Sequence, residues 1–265
     1  MDYFEKRKIG TKRIAEKIAS KFDEKEKLET KMAYPVAMKN DFIMNYCFKN
    51  LKKLRLKKLL RIVVSMITKE SDTNTTFIIR HKDIQKLLKD NFTSVEIFEM
   101  LEKISSSFSF YEKNEYVSIP MFKIIRTSED HETTNIIFNE FFSGLLFFNG
   151  NHFLKYDLSS ILNYKYLYSI ELFEILLCNV RLDQRNEIVP LTYDIKWLKK
   201  KLDCSDMRTN DFIKRVIDKS INELNKYNKS HLGGTIKYKY NKLKSEITFF
   251  IENVNLMLKN SKKDN

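Results

Sequence analysis

Residues 208–226, with the sequence RTNDFIKRVIDKSINELNK, place side chains that can hydrogen-bond to nucleic-acid bases on one side of a predicted helix. At 100° per residue the apolar side chains, from Phe212 to Leu224, occupy the other half, which must pack on a core. The polar half mixes cations and amides: Arg208, Asn210, Lys214, Arg215, Lys219 and Asn222. Arg and Lys donate to guanine, and Asn pairs with adenine. This mixture predicts a surface that reads bases.

The same face has a plainer interpretation as a solvated helix surface. Intrahelical pairs such as Asp211 with Arg215 and Lys214 with Asp218 would stabilise it by about 0.3 kcal/mol each. The position of residues 208–226 favours base reading. They form the second helix of a predicted helix-turn-helix, and such a helix lies in the major groove. There we expect Asp211 and Asp218 to hold the guanidinium of Arg215 flat for a bidentate contact to guanine.

A predicted hairpin follows this helix and adds a basic surface. In TIKYKY, lysines alternate with side chains that face inward, and the turn NKLK sets two more lysines at the tip. Such a tip is suited to phosphate contacts, which position a protein on the duplex without reading its sequence. The lysines of this predicted wing are Lys237, Lys239, Lys242 and Lys244.

Residues for hydrolytic or metal chemistry are sparse. The four histidines, His81, His131, His152 and His231, form no His-x-His pair, which argues against a metal-dependent Tyr nickase. The chain has no P-loop and three widely spaced cysteines without a CxxC. We therefore expect no catalytic residue, no metal and no cofactor.

The elements that must position these surfaces occur twice in the same order. LRLKKLLRIVVSMI and YSIELFEILLCNV read as helices, and each precedes a strand, two helices and two further strands. In one register Asp83 falls on Asp194, Ile84 on Ile195 and Leu87 on Leu198. The repeat predicts two winged helices in tandem, in an α+β fold that is mainly helical. Thr192 is the expected N-cap of the helix before residues 208–226.

The first repeat carries a different charge pattern. Its second helix, TSVEIFEMLEK, shows Glu96, Glu99 and Glu102, which would repel phosphate. Cations cluster earlier, in KNLKKLRLKKLLR, either as contacts to a DNA backbone or as the solvated face of a core helix. The candidates for backbone contact are Lys52, Lys53, Arg55 and Lys57.

An aromatic and aliphatic stretch, FNEFFSGLLFF, offers apolar area beyond one small core. Phe141, Phe142, Leu145 and Leu146 are the residues in it that we expect to support self-association, although burial in the core is the alternative for at least two of them. The stretch is too short and too interrupted to span a bilayer.

The charge balance favours a polyanionic partner. Lys and Arg number 48 against 35 Asp and Glu, which gives a net charge of +13. Nucleic acid is the most favoured partner, and an anionic membrane surface is the second. An AT-rich genome would account for part of the lysine excess. The charged N-terminus lacks the apolar stretch of a secretory signal, so we expect a soluble cytoplasmic protein.

Over roughly residues 40–252 the sequence resembles the RepB/RepE-like initiator replication proteins of theta-replicating plasmids. IPMFKII, IIFNEFFSGLL, YDLSSILNYKYLYSIELFEILL and above all TNDFIKRVIDKSINELN carry the resemblance. It implies that a C-terminal winged helix reads direct repeats at an origin of double-stranded DNA, while an N-terminal one contacts the adjacent backbone and forms a dimer. It also implies origin melting without nicking and recruitment of a host replication initiator and helicase. The wing, NKLKSE, departs from the family by lacking its Gly-Arg element.

These observations predict four regions. They are a charged arm (1–35), an N-terminal winged helix for dimerisation and backbone contact (36–155), a C-terminal winged helix for sequence-specific binding (156–255) and a polar tail (256–265). A winged-helix transcriptional regulator and a rolling-circle nicking initiator are the alternative functions. Tandem repeats in the DNA beside the gene would favour the initiator, and a lone palindrome would favour the regulator.

Overall fold

The computed structural model describes residues 35–45, 47–48, 51–68, 70–112, 115–146, 153–180, 188–227, 232 and 234–252. The predicted polar tail and, apart from Pro35, the predicted arm lie outside the described residues. Among the residues described, no helix is both long enough and apolar enough to cross a membrane.

The first part of the chain alternates short strands and helices. Its elements are β1 (Pro35–Lys39), α1 (Asn40–Asn45), β2 (Cys47–Phe48), α2 (Leu54–Val64), β3 (Phe77–Arg80), α3 (His81–Leu88), α4 (Ser94–Ser106), β4 (Phe108–Glu112), β5 (Glu115–Ser118), β6 (Phe122–Thr127), β7 (Thr133–Phe138), a 3-10 turn (Glu140–Phe142) and α5 (Ser143–Leu146). We call α2 to β7 the first unit.

The second part repeats this order with fewer insertions. Its elements are β8 (Phe153–Asp157), α6 (Ser159–Leu162), α7 (Ser169–Asn179), β9 (Ile188–Asp194), α8 (Ile195–Lys201), α9 (Thr209–Phe212), a π-helical segment (Ile213–Ile217), α10 (Asp218–Tyr227), β10 (Ile236–Asn241) and β11 (Glu246–Glu252). We call α7 to β11 the second unit.

The two units have the same sheet topology. The first has the antiparallel order β3-β7-β6 and the second β9-β11-β10, so in each the strand before the helix pair joins the hairpin through its last strand. The aligned side chains Ile84, Ile195, Leu87 and Leu198 are all buried. The prediction of an α+β fold with two tandem winged helices is confirmed.

The start of α8 differs from the prediction. Thr192 lies within β9, where its hydroxyl is 2.9 Å from that of Thr248 on β11. Asp194 is the N-cap instead, because its carboxylate accepts a hydrogen bond of 2.7 Å from the backbone N–H of Trp197. In the register that pairs the two aspartates, Asp83 lies in the first turn of α3, whereas Asp194 precedes α8 as its N-cap.

A buried ionic cluster connects α2 with α7. Arg61 Nε donates to Glu174 Oε1 at 2.9 Å, and the Tyr156 hydroxyl donates to the same oxygen at 2.5 Å. Lys57 Nζ lies 2.6 Å from Glu171 Oε1 and 5.2 Å from the ring centre of Tyr168. Burial of opposite charges at these distances keeps Arg61 protonated, with its pKa raised by the carboxylate of Glu174 against the opposing effect of burial.

The pairing of β1 with β8 bears on the predicted boundary at residue 155. That position falls inside β8, where Lys155 pairs with Ala37 across an antiparallel ladder. Tyr156, on the same strand, belongs to the ionic cluster of α2 and α7. By these contacts β8 and α7 pack with the first unit, although the order of elements makes α7 the opening helix of the second.

Candidate nucleic-acid interface

The helical residues 209–227 form one continuous rod with a buried and an exposed side, and we call this rod the candidate recognition helix. The predicted apolar residues face the core: Phe212, Val216, Ile217, Ile221 and Leu224 are buried, and Ile213 is half-buried. The six predicted polar residues all lie on the exposed side: Arg208, Asn210, Lys214, Arg215, Lys219 and Asn222. Their exposure meets the first requirement for reading bases, and their contact with DNA stays a prediction.

The environment of Arg215 differs in part from the prediction. Its Nε lies 3.7 Å from Asp211 Oδ1, and the Arg215 side chain remains 71% exposed. Asp218 instead accepts a hydrogen bond of 2.5 Å from the hydroxyl of Tyr238 on β10. Asp211 is therefore the carboxylate that pairs with Arg215, at a distance too long for a hydrogen bond, while Asp218 bonds to the hairpin.

Two contacts set the direction of the hairpin along the helix. The side-chain amide of Asn225 bonds to both backbone groups of Ile236, at 2.7 Å and 2.9 Å. Tyr238 bonds to Asp218, seven residues earlier in the helix. As β10 runs forward it therefore runs back toward the N-terminus of the helix. The hairpin tip, which follows Tyr238 in this direction, therefore lies toward the N-terminal half of the helix.

The tip of the hairpin is a turn fixed by its own side chain. Asn241 Oδ1 accepts hydrogen bonds from the backbone N–H groups of Leu243 at 3.1 Å and Lys244 at 3.2 Å. Ser245 closes the turn with φ of 54°. Lys242 and Lys244 are exposed there, as predicted.

The other two wing lysines lie farther from the tip. Lys239 is exposed on the outward side of β10. Lys237 is the second residue of β10, and its Nζ lies 3.1 Å from Glu252 Oε1, at the end of the hairpin away from the tip. Lys237 is thus an exposed cation that already has an acidic partner, and its contact with phosphate stays a prediction.

The later part of the candidate recognition helix contacts the segment before α7. Glu223 accepts hydrogen bonds from the backbone N–H groups of Lys165 at 2.6 Å and Tyr166 at 3.0 Å. Lys219 Nζ lies 5.5 Å from the ring centre of Tyr166. Burial raises the pKa of Tyr166. The sequence did not single out Glu223, because the partner groups are backbone amides almost sixty residues away.

The predicted basic cluster before and within α2 divides into exposed and buried cations. Lys52, Lys53 and Arg55 are exposed, and the Arg55 guanidinium lies 5.5 Å from the ring centre of Phe92. Lys57 is only 6% exposed and is bound to Glu171, so its assignment as a DNA backbone contact is wrong. The alternative, a solvated face of a core helix, does not hold for Lys57 and Arg61, which are buried.

In α4, the acidic helix of the first unit, one of the three glutamates caps the start of the helix. Glu96 Oε2 accepts from the backbone N–H of Thr93 at 2.8 Å, and Thr93 Oγ1 accepts from that of Glu96 at 3.2 Å. This reciprocal pair is a capping box. Glu96, Glu99 and Glu102 are all exposed, so α4 presents a negative face where the second unit presents a mixed one.

Of the four residues expected to support self-association, two belong to the core. Phe142 and Leu146 are fully buried, and Phe142 packs edge-on against Phe108. Phe141 and Leu145 are half-buried against the same core. The alternative of core burial for two of the four is therefore the observed one.

Groups suited to metal binding do not come together in the part of the chain that the structure describes. It contains no cluster of three or more His, Cys, Asp and Glu side chains that could hold an ion. His81 instead has a structural place: its Nδ1 donates to the carbonyl oxygen of His131 at 2.8 Å, and its Nε2 lies 2.8 Å from the Thr134 hydroxyl. Burial lowers its pKa.

A helix-turn-helix with an exposed polar second helix and a basic hairpin tip defines a winged-helix DNA-binding protein, here with a second winged helix before it. The sequence profile of the initiator replication proteins matches this chain in two parts, the first winged helix over residues 35–177 and the second over 194–251. The chain belongs to the initiator replication protein family. The resemblance seen in the sequence is confirmed.

A solved initiator structure has the same fold as this chain. The crystal structure of the Pi initiator protein in complex with iteron DNA is similar to this chain with a TM-score of 0.62 and 14% identity, covering 83% of this chain and 97% of that one. Domains 2 and 3 of RctB give a TM-score of 0.44 at 11% identity, over 74% of this chain and 81% of that one. A comparison with curated proteins found no match.

Proposed function

We propose that this initiator binds direct repeats in double-stranded DNA at an origin of replication and reads them with its second winged helix. One observation carries this assignment: an exposed row of Arg, Lys and Asn side chains lies on a helix whose other side is core, and the hairpin that follows carries two exposed lysines at its tip. The similar Pi initiator was solved with iteron DNA. Repeated sites are thus the expected target.

The first unit serves backbone contact and self-association. Its candidate recognition surface is acidic at Glu96, Glu99 and Glu102, so it is unsuited to the major groove. Lys52, Lys53 and Arg55 are its exposed cations near the start of α2, and we assign them to phosphates of the neighbouring DNA. We place the division between the two domains between residues 177 and 194, where the two family matches end and begin.

Once bound, the protein opens the duplex and recruits a host replication initiator and helicase. We assign it no strand cleavage and no cofactor. Its partners are origin DNA, a second copy of itself through the first domain, and the host proteins, in the cytoplasm.

Footprinting of the purified protein on the DNA that flanks its gene tests the assignment. Protection of several equally spaced copies of one sequence in the same orientation would support it. Protection of a single palindrome would favour a transcriptional regulator that uses the same surface. Uniform protection without sequence preference would contradict both.

A further inference from the structure

Leu243 stands alone at the tip of the wing with no apolar neighbour to cover it. Its side chain is 99% exposed, and the residues on both sides of it, Lys242 and Lys244, are exposed lysines. Leu243 is the most exposed large apolar residue in the described chain. An apolar side chain at such a point gains from burial only when a partner meets the tip.

The tip holds Leu243 in one position before any partner arrives. Asn241 accepts from the backbone N–H groups of both Leu243 and Lys244, and the Ser245 carbonyl oxygen accepts from Ile195 N–H at 2.9 Å. The wing is therefore fixed to the start of α8 as well as to the recognition helix through Tyr238. A preorganised contact of this kind loses little conformational entropy on binding.

The chemistry around Leu243 fits the minor groove. The tip lies toward the N-terminal half of the candidate recognition helix, and with this helix in the major groove we place the tip at the adjacent minor groove. That groove is about 6 Å wide and is bordered by a phosphate backbone on each side. A leucine between two lysines presents an apolar group to the groove and a cation to each border.

We propose that Leu243 enters the minor groove beside the site read by the recognition helix and acts as a wedge that bends the duplex. Apolar wedges partly unstack a base step and bend DNA by about 20–90° toward the major groove. This inference rests on the DNA binding proposed above. It adds a role in deforming the duplex, which the phosphate contacts of Lys242 and Lys244 do not supply.

The test uses the full chain and a duplex of the footprinted site with a fluorophore at each end. Bending shortens the distance between the ends and raises energy transfer. Leu243→Ser should bind with affinity reduced about threefold to tenfold and should lose most of the rise in energy transfer at saturation. Leu243→Met, which keeps an apolar side chain, should restore it. Ile188→Ser replaces an exposed apolar residue at the other end of the same sheet and should change neither quantity.

The outcomes separate this inference from the proposed function. If wild type binds and bends the site and Leu243→Ser bends it equally, Leu243 is not a wedge, while DNA binding stands. If Leu243→Ser binds and bends normally but no longer associates with a second copy on adjacent sites, the tip contacts protein instead. If wild type shows no preference for any duplex, the proposed function fails, and the wedge fails with it.

Discussion

The hydroxyl of Tyr238 donates a 2.5 Å hydrogen bond to the carboxylate of Asp218, and this contact joins the wing to the candidate recognition helix. Burial and the nearby carboxylate raise the pKa of Tyr238 to about 12, so the donor stays protonated throughout the neutral range. The bond holds together the two surfaces that we propose to meet one duplex. Because Asp218 bonds to Tyr238, the acidic partner of Arg215 is Asp211.

Loss of this hydroxyl should weaken the coupling of the two surfaces. Tyr238→Phe keeps the packing near Phe249 but removes a hydrogen bond worth about 1 kcal/mol, so we expect affinity for the footprinted site to fall by about fivefold. Tyr240→Phe removes a hydroxyl from the next inward-facing position of the same strand and is the matched control. Equal losses for the two variants in binding titrations would show that the bond to Asp218 has no special part.

Neutralising the wing tip should change the salt dependence of binding. Each lost phosphate contact lowers the slope of log affinity against log salt by about 0.9, so the double change Lys242→Ala and Lys244→Ala should lower it by about 1.8. Affinity for the repeat and for scrambled DNA should fall together, because phosphates carry no sequence information.

Lys237 provides the control for this change. Its ammonium lies 3.1 Å from Glu252, at the end of the hairpin away from the tip. Lys237→Ala should therefore lower the slope of log affinity against log salt by less than half of the change expected for one lost phosphate contact. A slope that is unchanged in the double variant would place the wing tip away from the DNA.

The buried pair of Arg61 and Glu174 should contribute strongly to stability. Glu174→Gln removes the charge of the carboxylate to which the buried guanidinium is bonded, so we expect the free energy of unfolding to fall by about 3–5 kcal/mol in urea titrations. Glu99→Gln breaks an exposed pair with Lys103 at 3.9 Å and should cost less than about 1 kcal/mol. Similar losses for both variants would contradict the importance of burial.

Strand cleavage should be absent. Purified protein incubated with supercoiled DNA that carries the footprinted site and Mg²⁺ or Mn²⁺ should leave it closed. The reason is the lack of paired histidines in the sequence and of a metal-binding cluster among the described residues. A site-specific nickase provides the positive control on a gel. Open circles together with a covalent adduct on a tyrosine would instead assign a nicking activity.

Local sequence patterns predicted most of the helices and strands, but few of the long-range contacts between them. The 3.6-residue spacing of Phe212, Val216 and Leu224 predicted the recognition helix, and the shared register of Ile84 and Ile195 predicted the repeat. A helix and its buried face depend on neighbours in the chain, which the sequence displays directly.

Long-range contacts are where prediction from the sequence failed. The burial of Lys57 depends on Glu171, and the role of Asp218 depends on Tyr238, yet neither partner is marked by spacing. Pairing of β1 with β8 was not foreseen, because strands more than a hundred residues apart leave no local signal. The cap of α8 moved from Thr192 to Asp194 because the preceding strand continues to that residue.

Specific recognition by the second unit is tested most directly through Arg215. Binding of wild type and Arg215→Ala is titrated on the footprinted repeat and on a scrambled duplex at several salt concentrations, with Asp211→Asn as the variant that removes only the partner of Arg215. Loss of a bidentate contact to guanine costs about 1–3 kcal/mol, so the ratio of specific to non-specific affinity should fall by at least fivefold for Arg215→Ala and by less for Asp211→Asn. Equal loss of affinity on both DNAs would contradict base reading by this helix through Arg215.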